Sequence, residues 1–580
     1  MLREAIYHRS CNNYAYAYDE NTLHMMVRCK KNEAKHVSLL YGDPYAFIDS
    51  KWDFSKADMV KTGTDAMFDY WKIAVNPHFR RLRYAFEFTS FNNCETFVYT
   101  EKGFFDQPPT DDVAYYFCFP FLNKIDVFSP PEWVKNTVWY QIFPDRFANG
   151  DVSINPPHTR PWASEDPNRD NFFGGDFQGI MYKVDYLSDL GITGIYFTPI
   201  FKAHSNYKYD TIDYMEIDPQ FGDKHTFKRL IETCHEHGIK VMLDAVFNHS
   251  GYFFDKFQDV VKHGANSSFV NWFHIHEFPL ILEPIPNYET FGFVGNMPKL
   301  NTENAEVKEY LLKIGRYWVE EFDIDGWRLD VANEVDHQFW REFRQEVKKC
   351  KPDIYILGEI WHDSITWLQG DQFDAVMNYP FTDAALSFFA KDSIHVEEFA
   401  NKIQNVYHMY PQNINEVAFN LLGSHDTPRV LTMCKNNTSK VKMLFTFLLS
   451  YIGTPCIYYG DEIGMLGDQD PGCRACMEWN EEKQDQELLN YVKKLITLRK
   501  TIPAMGHLGK FDIVEANPAT NLLIYTKSHQ TQTIWFLMNN SNEELTVPLP
   551  HDAPLTNLIN SETVQHFVTL SQYEVMILGE

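Results

Sequence analysis

Between residue 138 and about residue 504, short apolar runs alternate with longer segments of helical periodicity, and no other feature limits the possible folds as strongly. The predicted strands are residues 138–143, 194–197, 240–246, 325–331, 354–360, 375–378, 417–423 and 455–459. The helices predicted between them include residues 224–237, 305–321, 338–349 and 440–451. Eight consecutive β/α units predict an α/β fold, a (β/α)8 TIM barrel, whose chemistry takes place at the carboxyl ends of the strands.

The segments outside this alternation are predicted to form β domains. Residues 1–125 contain alternating apolar and polar runs separated by turn residues, which predicts an N-terminal β-sandwich. The barrel is assigned to residues 126–504, beginning with a Pro-containing linker, and residues 249–300 form a loop-rich subdomain inserted after strand 3. Residues 505–580 alternate again and are predicted to be a C-terminal β domain.

Charge and hydropathy exclude several classes of partner. The chain has 52 Lys and Arg against 79 Asp and Glu, a formal net charge of −27, which argues against binding nucleic acid or an anionic membrane. No apolar run reaches the roughly 18 residues of a membrane span, and residues 1–30 contain no signal-peptide core. The sequence therefore predicts a cytoplasmic protein.

Polar residues at the ends of the predicted strands form the candidate site. They are Asp244 and His249 after the third strand, Arg328 and Asp330 at the fourth, Glu359, Trp361 and His362 at the fifth, and His425 and Asp426 after the seventh. Side chains alternate along a strand, so Arg328 and Asp330 face the same way, and we expect the guanidinium to keep Asp330 ionised.

Several carboxylates on one barrel rim suit the cleavage of a glycosidic bond, in which one carboxylate attacks and one carboxylic acid protonates the leaving oxygen. Taken singly, each of these residues has an ordinary explanation, such as a helix cap or a surface ion pair. The prediction depends on their joint position at successive strand ends.

Several short segments resemble the α-amylase family, glycoside hydrolase family thirteen. Residues 244–249, 326–334, 358–362 and 421–426 resemble its four short motifs, and residues 191–201 and 453–465 match two further ones. Residues 297–301, Met-Pro-Lys-Leu-Asn, and the N-terminal module resemble the neopullulanase, cyclomaltodextrinase and maltogenic amylase group within it. The resemblance extends over nearly the whole chain.

This resemblance implies a retaining α-glucan hydrolase that works through a covalent glycosyl-Asp intermediate. It implies Asp330 as nucleophile, Glu359 as general acid/base and Asp426 as the carboxylate that stabilises the transition state. The implied substrate-binding residues are Tyr209, Asp244, His249, Arg328, Glu334, Trp361, His362, His425 and Arg429. The implied substrates are cyclomaltodextrins, pullulan and maltooligosaccharides, cleaved at α-1,4 and also α-1,6 bonds, with some transfer to sugar acceptors.

Other functions remain open at this stage. An oligo-1,6-glucosidase and a glucan-branching transferase use the same motifs, although residues 297–301 and the N-terminal module speak against the glucosidase. A non-catalytic scaffold with an amylase fold is more remote, because all three carboxylates are present.

The resemblance also implies a structural Ca²⁺ ion near the barrel entrance and no organic cofactor. Its implied ligands are Asn149, Asp151, Asn155, Gly174 and Asp176. Oxygen-rich side chains at alternating positions suit a hard cation. The alternative is an Asx-rich turn that holds no metal.

A homodimer formed through the N-terminal module is a further implication. In the resembling group this module packs over the barrel of the partner subunit and narrows the cleft. Tyr45, Phe47 and Trp52 are candidates for that cover, with the sandwich core as the alternative and as the expected place for Phe47.

Overall fold

The computed structural model describes residues 1–91, 94–549 and 553–580, and in these residues a barrel lies between two β domains. The barrel strands are β1 Trp139–Ile142, β2 Gly194–Phe197, β3 Lys240–Ala245, β4 Gly326–Leu329, β5 Tyr355–Gly358, β6 Ala375–Val376, β7 Phe419–Leu421 and β8 Thr454–Tyr458. All pair in parallel in the order β6-β5-β4-β3-β2-β1-β8-β7, and a parallel bridge between Met377 and Phe419 links β6 to β7. The predicted fold class is therefore confirmed.

The strands are apolar throughout because both of their faces are covered. Inward side chains such as Tyr196, Met242 and Tyr355 form the core inside the barrel. Their neighbours in sequence, such as Ile195 and Leu243, pack under the surrounding helices. This double burial produces the continuous hydrophobic runs from which the strands were predicted.

The surrounding helices have the predicted amphipathic character. Those in the barrel are Phe177–Met181, Val184–Leu190, Lys224–Glu236, Ala305–Phe322, His337–Cys350, Tyr379–Ala385, Val396–Met409, Gln412–Asn415, Val430–Met433, Thr438–Ser450 and Gln486–Thr501. Side-chain caps set where several begin. Asn304 accepts from the backbone N–H groups of Glu306 and Val307, and Asp336 accepts from that of Phe339.

The segment after β3 forms the predicted loop-rich insertion over the rim. It contains the helix Asp255–His263, and isolated bridges such as His249 to Lys299 and Phe273 to Leu300 tie its two ends together. Both ends of the insertion therefore return to the carboxyl end of β3.

Antiparallel sheets flank the barrel on both sides. The main N-terminal strands are Ala15–Ala17, Leu23–Lys30, Ala34–Gly42, Ser55–Asp58, Val60–Thr64, Phe68–Val75, Leu82–Ser90, Thr96–Thr100, Gly103–Phe105 and Phe117–Phe119. The C-terminal strands are Lys510–Asn517, Leu522–His529, Gln532–Asn539, Leu545–Pro548, Leu555–Asn557, Thr563–Val564, Phe567–Leu570 and Val575–Gly579. The domain limits drawn from the sequence stay predictions, since the elements leave loops at each junction.

The N-terminal sandwich packs on its own barrel. Asn13 Nδ2 donates to the His408 carbonyl at 2.8 Å, Thr62 Oγ1 lies 2.9 Å from His408 Nε2, and the Tyr18 hydroxyl donates to Glu416 at 2.9 Å. His408 stacks on Tyr70 with ring centroids 4.3 Å apart. The module is thus joined to the helical side of the barrel, away from the carboxyl ends of the strands.

The three aromatic candidates for the cleft cover divide between the two alternatives, an exposed cover and the sandwich core. Trp52 is buried against Tyr116 in the sandwich and is not part of an exposed cover. Phe47, expected in the core, is 45% exposed, and Tyr45 is 76% exposed. Within the described residues, no helix has the length and apolar character needed to cross a membrane.

Candidate active site

The register of three neighbouring strands brings together the first polar group of the site. Asp244 in β3 lies beside Arg328 in β4. The main-chain ladder continues one residue beyond the strands, since Asp330 N donates to the backbone of β3 at 3.0 Å and Glu359 N to that of β4 at 2.9 Å. These four predicted site residues therefore meet at the carboxyl end of the barrel.

Arg328 lies at the centre of this group and is fully buried. Its Nη1 donates to both carboxylate oxygens of Asp244 at 2.9 Å and to Oδ1 of Asp330 at 2.7 Å. Its Nη2 lies 2.9 Å from Oε1 of Glu359. One positive charge therefore faces three carboxylates.

This charge balance bears on the expectation that Arg328 keeps Asp330 ionised, which stays a prediction. Burial raises the pKa of Asp330 well above its usual range, and the guanidinium, which lowers the pKa, is shared with two other carboxylates. Burial likewise raises the pKa of Asp244 to about 6. Since three buried carboxylates share one cation, the group as a whole retains a proton more readily than isolated carboxylates do.

A layer formed by Tyr209 and His425 lies next to this group. The Tyr209 hydroxyl donates to Asp244 Oδ2 at 2.9 Å and lies 2.7 Å from His425 Nε2, and the two rings stack at 5.3 Å. Tyr196 also donates to Asp244, at 2.8 Å, and Gln141 Nε2 lies 2.8 Å from His425 Nδ1. Burial lowers the pKa of His425 well below its usual range, so the imidazole is neutral at pH 7.

His249 forms another part of the wall. Its ring stacks on Phe291 with centroids 5.2 Å apart, and burial lowers its pKa to about 3. Its Nε2 is buried and has no hydrogen-bond partner among the described residues. A buried polar atom is costly without a partner, and a sugar hydroxyl in the cavity would supply one.

Asp426 is held by an arginine that the sequence analysis did not identify. Arg474 Nη2 donates to Asp426 Oδ1 at 3.2 Å, and its Nε donates to the His425 carbonyl at 2.8 Å. Arg474 Nη1 also pairs with Asp470 at 3.0 Å, and Asp470 pairs with Arg169 at 3.0 Å. These contacts fix the loop after β7 against the loop after β8.

The neighbours of Glu359 fix the direction of its carboxylate. Val331 N donates to Glu359 Oε2 at 3.0 Å, and Trp361 Nε1 donates to Oε1 at 3.3 Å. Val331 has a φ of 44°, a left-handed conformation that is strained for a β-branched residue. Trp361 is 51% exposed and stacks on Tyr379 with centroids 3.6 Å apart, so one of its faces is free for a ligand.

A cavity of about 540 Å³ lies over these groups. The predicted residues that line it are Tyr209, His249, Asp330, Glu359, Trp361, His425 and Asp426. Tyr207, Phe291, Val294, Met297, Val331, Asn333, Arg169, Asp470 and Arg474 complete the lining. Asp244 and Arg328 lie beneath it and act on its walls through the hydrogen bonds described above.

Besides Asp244 and Arg328, three of the predicted substrate-binding residues do not line the cavity. Glu334 is exposed, and its carboxylate lies 3.7 Å from Lys299 Nζ. His362 is exposed beyond the rim. Arg429 is fully buried and donates to Asp461 at 3.0 Å. The resemblance implies a role in substrate binding for these three residues, which stays a prediction, because a motif does not determine where a side chain points.

The predicted calcium residues lie together near the start of the barrel. Asn149 Nδ2 donates to Asn155 Oδ1 at 3.1 Å, while Asn149 Oδ1 is buried without a partner among the described residues. A Cβ added to Gly174 would lie 2.4 Å from both of these side chains. Asp176 is buried and accepts from three backbone N–H groups, whereas the Asp151 carboxylate caps a turn at the surface. The unpartnered Asn149 oxygen fits a cation.

A cation at this place would be bound by amide and backbone oxygen atoms more than by carboxylates. Within the described residues, no group of three or more His, Cys, Asp and Glu side chains is arranged to hold a metal ion.

Some signals in the sequence could have identified the missed residues. Gln141 is the polar residue inside the buried apolar strand β1, a position where a side chain needs a specific partner. Arg474 gave no comparable signal, since it lies in an irregular segment after β8.

Three carboxylates share one guanidinium on the barrel rim, and a fourth, Asp426, lines the same cavity. Paired carboxyl groups beside a cavity of this size are typical of a glycoside hydrolase. Residues 141–507 match the model of the alpha amylase catalytic domain, residues 1–123 that of the alpha amylase N-terminal ig-like domain, and residues 524–580 that of a beta-galactosidase C-terminal domain. The chain belongs to the α-amylase family.

Relatives of similar length support this assignment. The chain is 59% identical to a maltogenic alpha-amylase of Bacillus acidopullulyticus, over 97% of this chain and 96% of that one. It is 50% identical to an intracellular maltogenic amylase of Bacillus subtilis strain 168, over 88% and 86%. Among solved structures, a cyclomaltodextrinase superposes with a TM-score of 0.94 at 48% identity, covering all of both chains.

Proposed function

We propose that this chain hydrolyses α-glucosidic bonds with retention of configuration, by the following steps. Glu359 protonates the leaving glycosidic oxygen while Asp330 attacks the anomeric carbon and forms a covalent glycosyl-Asp intermediate. Glu359, now a carboxylate, takes a proton from water, which attacks the same carbon and releases Asp330. Asp426 and neutral His425 bind the hydroxyls of the reacting sugar.

The observation that supports this most directly is the sharing of Arg328 by Asp330 and Glu359, at 2.7 and 2.9 Å. A retaining enzyme needs its two carboxyl groups about 5–5.5 Å apart, and a common guanidinium between them is consistent with that close spacing. Asp426 stands on a different loop and has its own arginine, which suits a separate role.

The proposed substrates are cyclomaltodextrins, pullulan and maltooligosaccharides. The names of the relatives support maltodextrin substrates, and a cavity of about 540 Å³ suits a few glucosyl units better than a polymer surface. The half-exposed face of Trp361, next to Glu359, is a platform on which an acceptor sugar can stack. Some of the intermediate is therefore expected to react with sugar acceptors in place of water.

We also propose a homodimer that covers the cleft through the N-terminal module. Tyr45, Phe47 and Ile48 are large apolar side chains that protrude from one short hairpin, with exposures of 76%, 45% and 61%. Clustered exposed apolar residues are typical of interaction surfaces.

A structural Ca²⁺ ion and a cytoplasmic location complete the proposal. Asn149, Asn155, Gly174 and Asp176 would hold the ion, which would tie the loop after β1 to the start of the following helix. The relative named as intracellular supports the location.

Product analysis tests the reaction. With β-cyclodextrin, pullulan and soluble starch in parallel, we expect β-cyclodextrin to be opened fastest, and the first product seen by proton NMR to be the α anomer. Asp330→Asn should fold normally and lose several orders of magnitude in turnover, because only binding and positioning remain. A β anomer as first product, or a variant that keeps more than about a tenth of the rate, would contradict the assignment.

A further inference from the structure

Gln141 is a polar residue in the otherwise apolar strand β1 and is 1% exposed. Its side-chain amide reaches across the inside of the rim to His425, with Nε2 2.8 Å from Nδ1. A buried amide in a barrel strand costs stability unless it is hydrogen-bonded. The hydrogen bond to His425 therefore offsets the cost of burying the Gln141 amide.

The donors and acceptors along this contact determine where the His425 proton lies. The Tyr209 hydroxyl has one proton, and its contact of 2.9 Å with Asp244 Oδ2 requires that proton, because a carboxylate only accepts. The contact of 2.7 Å between Tyr209 and His425 Nε2 must then be an N–H donated by the imidazole. A neutral imidazole with its proton on Nε2 has an acceptor at Nδ1, where the Gln141 amide donates.

We propose that Gln141 is a positioning residue that fixes His425 in the tautomer with its proton on Nε2. This rests on the proposed function, in which His425 is part of the wall that binds the reacting sugar. His425 Nε2 also lies 3.3 Å from Asp426 Oδ2. The fixed N–H donates to the Tyr209 hydroxyl beside Asp426, so the hydrogen bonds of this wall of the cavity are already in place when substrate binds.

Two arginines and three carboxylates influence the charge of the His425 ring. Arg474 and Arg328 disfavour a second proton on His425, and Glu359 favours one. Asp426 lies next to Nε2, and Asp244 acts through Tyr209. Burial outweighs the carboxylates and keeps the ring neutral, so the choice between its two tautomers is left to its hydrogen-bond partners.

The decisive variant is Gln141→Glu, in the full-length chain. At low pH either the new carboxyl is protonated or the imidazole carries both protons, and Nε2–H is kept in both cases. As the pH rises the pair loses one proton, the ionised carboxylate accepts a hydrogen bond from Nδ1–H, and Nε2 is left without a hydrogen. We expect the ratio of the kcat/KM of the variant to that of the wild type, on β-cyclodextrin, to be close to one near pH 5 and to fall about 10–100-fold by pH 8.

Two further variants separate this role from a structural one. Gln141→Met has similar volume and no donor, so it should lose activity by a factor that is the same at each pH. Gln372→Glu is the control for a buried Gln-to-Glu change beside a histidine, since Gln372 is also buried, its Oε1 accepts from His337 Nδ1 at 2.8 Å, and it lies outside the cavity. It should show the wild-type pH profile.

A double-mutant cycle with His425→Asn completes the test. If Gln141 acts through His425, Gln141→Glu should cause no further pH-dependent loss in that background. Parallel pH profiles for Gln141→Glu and wild type, or additive losses in the cycle, would overturn the proposal. Neither result depends on the outcome for Asp330→Asn, so a failure here is distinct from a failure of the proposed function.

Discussion

Arg474 joins the backbone of His425 to the side chain of Asp426, donating to the carbonyl of the former at 2.8 Å and to the carboxylate of the latter at 3.2 Å. The two acceptors are consecutive residues in the loop that follows β7, whereas the arginine comes from the segment after β8. A single planar guanidinium therefore fixes both the position of the imidazole and the direction of the carboxylate.

Replacing Arg474 by Lys should reduce kcat/KM by about 10–100-fold, because a hydrogen bond to a charged group contributes about 1.5–3 kcal/mol and lysine cannot make both contacts. Steady-state kinetics on β-cyclodextrin measure the loss. Arg316→Lys is the control, since Arg316 also bridges two acceptors, Glu309 and Glu346, on the outer helices. An Arg474→Lys variant within twofold of wild type would show that Asp426 needs no such support.

Acid should destabilise the chain partly through His8. This ring is buried between the Met26 carbonyl and the Tyr84 hydroxyl, and burial lowers its pKa to about 3. Above pH 6.5 the ring is neutral in both the folded and the unfolded chain. Between pH 6.5 and 3 only the unfolded chain binds the proton, so the free energy of unfolding falls, by roughly 2 kcal/mol at pH 5.

The variant His8→Phe tests this contribution. It should be less stable at pH 7.5 because two hydrogen bonds are lost, but its melting temperature should fall less than that of the wild type between pH 7.5 and 5. His36→Phe, at an exposed pair with Asp58, is the surface control. An equal fall in His8→Phe and wild type would exclude His8 as the source.

The sequence was sufficient for the fold because every barrel strand is buried on both faces and most long helices on one, the exception being Thr438–Ser450, which is buried on nearly all sides. The helices Lys224–Glu236 and Ala305–Phe322 end within a residue of where periodicity placed them. Strand ends also led to the rim carboxylates, since position in a barrel strand determines which end of the barrel a residue reaches.

What the sequence could not provide depends on contacts between distant segments. Burial raises the pKa of Asp330, and the neighbouring carboxylates of Glu359 and Asp244 add to that effect, which depends on how separate strands pack. Arg474 comes from an irregular segment after β8, and the burial of Trp52 depends on packing against Tyr116. The resemblance implies Glu334 and Arg429 as substrate-binding residues, but their side chains face Lys299 and Asp461.

Calcium binding should be visible as stability. After dialysis against EDTA, adding CaCl₂ should raise the melting temperature of the wild type by a few degrees, because a ligand that binds only the folded state stabilises it. Asn149→Leu removes the unpartnered buried oxygen and should abolish the calcium-dependent rise. Asn437→Leu, which removes a helix cap elsewhere, should lower the melting temperature and keep the rise. A wild type indifferent to calcium would contradict the proposed site.

The dimer should depend on the exposed hairpin of the N-terminal module. The double variant Phe47→Asp with Ile48→Asp places two charges on a surface that would have to be desolvated, so sedimentation velocity should show a monomer where the wild type is a dimer. Phe567→Asp, at a residue of the C-terminal domain that is 64% exposed, should leave the dimer intact. If the hairpin also covers the cleft, the monomer should lose part of its preference for β-cyclodextrin over soluble starch. A dimer that persists in the double variant, with unchanged preference, would place the interface elsewhere.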